Sequence, residues 1–293
     1  MRNIDFVKLF KYFSVLSFLV VLGTVILFFT KGLNYGVDFR GGVEMQIKFV
    51  DTVDAGTLRE QLDGLYLSQL QSIGDASQNE FLFKLDTDDM DLNVLSTKVE
   101  QALVENYGEG KFEILKTDIV GPKAGEELRT SAFKAIIWAV LAIMIYLALR
   151  FDYKFAPGAV VALIHDVLII IGVFIITEKE FSLQIVAALL AIIGYSVNDT
   201  VVIYDRVREV ESENPTLSTF EVINRSINET MARTINTSLT TLGVSVVMLI
   251  WGGPVIHDFF FAMTVGLILG VYSTIFIAVP MTVLFEKFSP KPA

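Results

Sequence analysis

The 293 residues contain no cysteine and only two histidines. A disulfide framework is therefore excluded, and any domain outside a membrane must be held by its own core. Two distant histidines, His165 and His257, with no thiolate beside them do not supply the ligands of a structural or catalytic zinc site. The phosphate-cradling patterns G-x-x-x-x-G-K-[ST] and G-x-G-x-x-G are missing, as is a Ser/His/Asp set for nucleophilic catalysis. These absences point away from an enzyme, and no metal or other cofactor is expected. Positive charge is scarce too, with 23 Lys and Arg against 33 Asp and Glu, a net charge of -10. Residues 31–130 hold 19 acidic and 10 basic residues and so carry most of that excess. Such a segment does not suit the phosphate backbone of a nucleic acid.

Apolar residues are abundant: 53% of the chain is hydrophobic and the mean hydropathy is +0.57. A bilayer's hydrocarbon, about 30 Å thick, needs roughly 17 to 25 apolar residues per helix. Six runs qualify, at 13–29, 132–149, 156–177, 181–204, 234–251 and 259–285. So many in a chain of this size cannot all lie in a soluble core. The first run follows Lys8 and Lys11 as a signal peptide would, but it is long and no A-x-A-like site follows, so it is expected to be a retained anchor. The organisation expected is residues 1–30 as the N-terminus and first span, 31–130 as an external domain, and 131–293 as five further spans with a cytoplasmic segment at 205–232.

Orientation follows from Lys and Arg. With the N-terminus inside, Arg2, Lys8, Lys11, Arg150, Lys154, Arg206, Arg208, Arg225, Arg233, Lys287 and Lys291 fall at cytoplasmic ends, while the short outer connections carry only Lys179. Both termini are then cytoplasmic. Four N-x-[ST] patterns, at Asn198, Asn224, Asn228 and Asn236, lie inside or within the membrane and are not glycosylation sites.

Between the first two spans, runs of strand and helix character alternate: 43–50, 55–64, 67–73, 80–85, 91–106 and 112–117. The β-α-β-β-α-β order predicts a ferredoxin-like α+β domain. Ahead of it, GLNYGVDFRGG at 32–42 reads as an irregular glycine-rich link. The Glu126 and Glu127 pair suits a helix N-terminus. At the other charged stretch, one helix ends near Glu213, Asn214-Pro215 breaks it, and a second begins from Ser218, with a surface helix along the membrane expected there.

The fourth run holds Asp199 beside Asn198. An ionised carboxylate in hydrocarbon is costly, so Asp199 should face other helices or water. Arg206, on the same face, is about 10 Å away along the axis at 1.5 Å per residue, too far to pair. The fifth run offers Arg233 at its cytoplasmic end, and Thr234, Thr237, Ser238 and Thr241 share one face of that helix. A carboxylate that alternates between a charge-paired and a desolvated neutral state titrates with conformation, which is what proton coupling needs. A static Asp199 and Arg233 pair that only packs the bundle is the structural alternative. Asn198 is a supporting polar residue that could orient the carboxylate. His165 and Asp166 of the third run, adjacent and so about 100° apart on a helix, are expected not to join one tight cluster; a second relay and a helix-helix hydrogen bond stay equal readings. Gly266 and Gly270 form a G-x-x-x-G pattern suited to close helix packing.

Several of these segments are long enough to be compared whole. YGVDFRGG after the first span, VGPKAGEELRTSAFKAIIWAVLAIMIYLALRF at the second, and GYSVNDTVVIYDRVRE with ARTINTSLTTL further on resemble the SecD/SecF family of the bacterial Sec export machinery. The family is related to the proton-driven resistance-nodulation-division transporters. VNDT in place of DAN at the fourth span, and a smaller external domain, favour its SecF-like branch. The resemblance implies a six-span half of a twelve-helix transporter core in the inner membrane. Its partners would be SecD, the SecYEG channel, unfolded preprotein and membrane lipid. The complex would use the proton-motive force to assist export, with the family's functional acid and arginine falling on Asp199 and Arg233. A translocon scaffold without proton transport, and a proton-driven exporter of drugs or lipids, are the other readings.

Overall fold

The computed structural model describes residues 4–73, 79–85, 91–151 and 155–288. Arg2, Lys154 and Lys291, used above for orientation, lie outside them. The chain divides into two compact units, Met1–Asn34 with Lys134–Ala293, and Tyr35–Phe133.

In the second unit, glycine and helix-cap chemistry set the boundaries. A short helix α2 (Val37–Arg40) ends at Gly41, whose φ of 84° is left-handed and whose added Cβ would fall 2.8 Å from the Pro122 Cα. Only glycine meets both demands. Strand β1 (Gly42–Phe49) follows, then α3 (Ala55–Gln61), β2 (Leu67–Ile73), β3 (Glu80–Leu85), α4 (Leu92–Tyr107) and β4 (Phe112–Val120). Asp54 and Asp91 cap the two longer helices by accepting the backbone N–H of Thr57 and Asn93 at 3.0 and 2.8 Å. The Asn93 backbone N–H first, and then its side-chain amide at 3.1 Å, hold the Asp91 carboxyl below the usual carboxylate range.

The sheet order is β2-β3-β1-β4, and every pairing is antiparallel. This is the split βαβ arrangement expected from the sequence. Val43, Met45, Ile47, Phe81, Phe83 and Leu85 on one sheet face pack on Leu58 and Leu62 of α3 and on Leu95, Val99 and Leu103 of α4. On the other face, Lys84 lies 3.4 Å from Glu44, and Lys48 lies 3.1 Å from Glu80.

The other unit is helical. It contains α1 (Val7–Thr30), the later part of α5 (Pro122–Arg150), α6 (Ala156–Thr177), α7 (Leu183–Glu213), α8 (Thr219–Trp251), α9 (Pro254–Ser273), a π-helical turn at Thr274–Ala278, and α10 (Val279–Phe288). Six segments are long and apolar enough to cross a membrane; α6, α7 and α9 with its continuation are half-buried or more, whereas α1, α5 and α8 are largely exposed. Phe155, Phe174, Phe181 and Tyr204 are among the largest fully buried side chains.

Three boundaries differ from expectation. The helix α5 starts at Pro122, where a missing N–H costs nothing, so Glu126 and Glu127 fall in its second turn. Ser218 caps α8 in a capping box with Glu221, as the break at Asn214-Pro215 implies, but no separate surface helix follows. Neither glycine nor proline occurs between Ser218 and Gly243, so the charged turns run straight into the apolar ones. The third is the π turn. Pro280 has no N–H for the carbonyl of Phe276, and the Ser14 hydroxyl of α1 donates to that oxygen instead at 3.2 Å. Tyr204 likewise donates to the Ala278 carbonyl at 3.2 Å.

Two of the N-x-[ST] asparagines have structural work. Asn224 accepts the backbone N–H of Phe6 at 2.9 Å. Asn228 accepts that of Ile4 at 2.9 Å and donates to the Ile4 carbonyl at 2.8 Å. At the opposite end of the unit, Lys31 pairs with Glu178 at 2.7 Å, and this partner lowers the Glu178 carboxyl from its ordinary value.

Candidate functional site

Helices α7 and α8 run antiparallel, joined by a short turn, and two levels of contact fix their register. Near the turn Arg206 of α7 donates to Glu229 of α8 at 2.6 Å and pairs with Glu209 at 2.5 Å. Two helical turns further into the apolar run, Asp199 faces the hydroxyls of α8. Ser238 donates to its Oδ2 at 3.0 Å, and Thr237 lies at 3.5 Å from Oδ1. Asp199 is 6% exposed.

On its other side α9 comes close. A Cβ on Gly266 would overlap the Ile192 side chain, and one on Gly270 would sit 3.4 Å from the Ser196 Cβ. Small residues permit this approach of backbones, and they leave space near the acid. A recess of about 30 Å³ is lined by Tyr195, Ser196, Asn198, Asp199, Thr237, Ser238, Gly266, Leu267, Gly270 and Val271. That volume accommodates roughly two waters.

The remaining expected residues are placed differently. Arg233 is exposed and forms no ion pair with Asp199 among the described residues. It lies one turn before Thr237, about 6 Å of helix rise at 1.5 Å per residue; its carbonyl accepts from the Thr237 hydroxyl at 3.0 Å, and its charge acts on the Asp199 carboxylate without a direct contact. Asn198 lines the recess but makes no hydrogen bond to Asp199, from which a helix turns it by about 100°. Thr241 returns its hydroxyl to the Thr237 carbonyl at 3.3 Å, the common alternative for a threonine inside a helix. Thr234 is buried with its hydroxyl oxygen unpartnered.

His165 and Asp166 correct the expectation that they would part. His165 Nδ1 lies 3.0 Å from Asp166 Oδ1, because Nδ1 sits near its own backbone and the ring folds toward the next residue. Ser196 of α7 and Ser273 of α9 both donate to Asp166 Oδ2, at 2.8 and 2.7 Å. Thr200 and Thr274 meet at 2.9 Å beside them. Sequence reasoning passed over Ser196 and Ser273, although Ser196 lies three residues before Asp199 and so on its face of the helix. Ser273 carried no such signal, since its role depends on where the π turn starts. His257 and Asp258 lie in the first turns of α9, with Lys179 at 2.5 Å from Asp258.

Comparison with known proteins places this arrangement. Residues 99–287 match the family described as protein export membrane protein SecD/SecF, C-terminal, and residues 26–53 match the SecD/SecF GG motif. The chain is 40% identical over 288 residues to a protein translocase subunit SecF of Calditerrivibrio nitroreducens, covering 97% of this chain and 95% of that one. It is 38% identical to a SecF of Rhodothermus marinus, covering 96% and 92%. Among solved structures, SecDF of Thermus thermophilus, a translocon-associated membrane protein, superposes with a TM-score of 0.84 at 35% identity over 97% of this chain. SecDF in a super-membrane-facing form gives 0.72 at 34% identity over 98%. The chain spans about two-fifths of the length of these SecDF chains, 39% in each case.

Proposed function

The chain belongs to the SecD/SecF family of protein export membrane proteins, as a SecF-type subunit, and from that premise we propose that Asp199 couples proton movement to export. It is a multi-pass membrane protein of the transport class rather than an enzyme. In the proposed assembly it forms half of a twelve-helix complex with a SecD-type partner in the inner membrane. Both termini face the cytoplasm and the Tyr35–Phe133 unit faces outward, receiving unfolded preprotein that emerges from the SecYEG channel. The SecDF structures support this partnership, since this chain aligns with a part of each.

The observation that carries the reading is the placement of Asp199, a carboxylate inside an apolar helix, held by Ser238 at the edge of a recess able to admit water. A buried acid whose hydrogen-bond partners among the described residues are hydroxyls can exist charged or neutral, and its surroundings decide which. Arg233, one turn away and exposed, is the cation whose influence on the carboxylate would change when the helices shift. Proton occupancy and helix position are thereby linked, as coupling requires.

The test is Asp199→Asn in proteoliposomes holding the translocon, SecD and this subunit. The substitution keeps shape and removes titration. Proton-gradient stimulation of preprotein export is expected to vanish while the complex still co-purifies. Export that still responds fully to the gradient would sink the proposal, and loss of co-purification would point to a scaffold instead.

A further inference from the structure

We propose that His165 and Asp166 form a second proton-holding station, reached from the Asp199 recess through the hydroxyl of Ser196. The inference rests on the reading of Asp199 as a proton carrier and extends it inward by one step.

The geometry has three parts. Asp166 is 1% exposed and lies where α6, α7 and α9 meet, with Oδ2 accepting from Ser196 and Ser273 and Oδ1 facing His165 Nδ1. Ser196 belongs to both sites, because it lines the recess beside Asp199 and bonds Asp166. It lies three residues before Asp199, about 4.5 Å along the helix axis. The third part is a nitrogen. His165 is 5% exposed and its Nε2 has no hydrogen-bond partner among the described residues.

An imidazole that merely braces a core has both nitrogens satisfied, because buried polar atoms rarely go unpaired. Here one nitrogen is committed to Asp166 and the other is left open to take or keep a proton. The Tyr272 ring stacks on the imidazole at 6.0 Å. Its hydroxyl cannot serve Nε2, since it donates to the Phe13 carbonyl at 2.9 Å and meets Ser17 at 2.7 Å.

The titratable groups around the station are few. His165 is on the same helix; Asp199 lies across Ser196 on α7, with Tyr204 two turns on; and Tyr272 comes from α9. Helix α1 presents Ser17 and Thr24, which do not titrate in this range.

The transfer balances simply. A proton leaving the Asp199 carboxyl, directly or through water in the recess, adds to Ser196 Oγ as Ser196 gives its own hydrogen to Asp166 Oδ2. Asp199 becomes a carboxylate, Asp166 becomes a carboxylic acid, and the serine is regenerated after its hydroxyl turns. With the hydrogen of neutral His165 on Nε2, the acid proton, moved from Oδ2 to Oδ1, can pass to Nδ1, which leaves an imidazolium beside a carboxylate that accepts from Ser196, Ser273 and His165.

The experiment uses the full chain reconstituted with its SecD partner. Proton flux under an imposed gradient is measured together with infrared spectra of protonated carboxyl groups. Asp166→Asn is expected to lower flux by about a hundredfold, the low end for a positioned proton carrier, and Ser196→Ala by about tenfold. Asp166→Asn should also delete a carboxyl signal different from the one that Asp199→Asn deletes. Wild-type flux in Asp166→Asn alongside blocked flux in Asp199→Asn would overturn the second station and leave the first. Wild-type flux in both would remove the proton-carrier reading itself. Should Asp166→Asn fail to assemble, Ser196→Ala decides: the station is overturned if that variant conducts as wild type or if the intact chain shows only one titrating carboxyl.

Discussion

Ser238 of α8 donates a 3.0 Å hydrogen bond to Asp199 of α7, the shortest link from the buried acid to its neighbouring helix. The bond ties the position of the two helices to the state of one carboxyl group. Its loss should therefore register in stability as well as in transport.

Ser238→Ala is expected to lower the stability of the helical unit by about 1 kcal/mol, the usual worth of a side-chain hydrogen bond between helices in a membrane. Thr240→Ala should not, since the Thr240 hydroxyl bonds only the Thr237 carbonyl of its own helix. Thermal unfolding of the full chain in detergent compares the two. Equal midpoints would show that the Ser238 bond contributes nothing.

The glycines of the spans should divide sharply. Gly266→Ala places a Cβ on Ile192 and is expected to cost about 1–3 kcal/mol through overpacking. Gly243→Ala meets nothing within 4 Å and should be neutral, or stabilising by up to about 1 kcal/mol through helix propensity. The same unfolding measurement serves, and a tolerated Gly266→Ala would contradict the close approach of α9 to α7.

In the Tyr35–Phe133 unit, Gly41→Ala combines a left-handed backbone with a clash at Pro122. A cost of about 1–3 kcal/mol follows from the strain alone. Faster amide exchange along β1 in the full chain would reveal it. Gly64→Ala, which shares a positive φ of 88° but meets no atom within 4 Å, should be milder.

Asp91 predicts a pH effect. Its carboxyl is held below the usual range by the Asn93 backbone N–H, so the cap contributes fully above the ordinary carboxylate pKa. That contribution is lost as pH falls through the depressed value. Amide exchange at Asn93 and Val94 should accelerate in that acid window and not in Asp91→Asn, which caps without titrating. Exchange independent of pH, after correction for its intrinsic rate, would refute the cap's role.

Much of the molecule was legible in the chain. Strands β2 and β3 start and stop at the residues expected, and α6 spans 156–177 as its apolar run does, because turn residues and the length of hydrocarbon punctuate both kinds of element. Asp199 stood out by itself, since a carboxylate in an apolar run has few explanations. Its partners were harder to read. Thr237 and Ser238 share one face of a helix with Thr234 and Thr241, but only the offset between α7 and α8 selects two of the four.

Local pattern thus determined the six spans, the α+β insertion and the acid worth attention. It could do so because periodicity, caps and hydrophobicity act within a few turns of chain. The tertiary structure alone decided that no ion pair joins Arg233 to Asp199 among the described residues, that His165 and Asp166 share one cluster, and that Ser196 lines the Asp199 recess while bonding Asp166. Those outcomes depend on helix offsets and rotamers set by packing between segments as distant as Asp166 and Ser273, and no run of neighbouring residues encodes them.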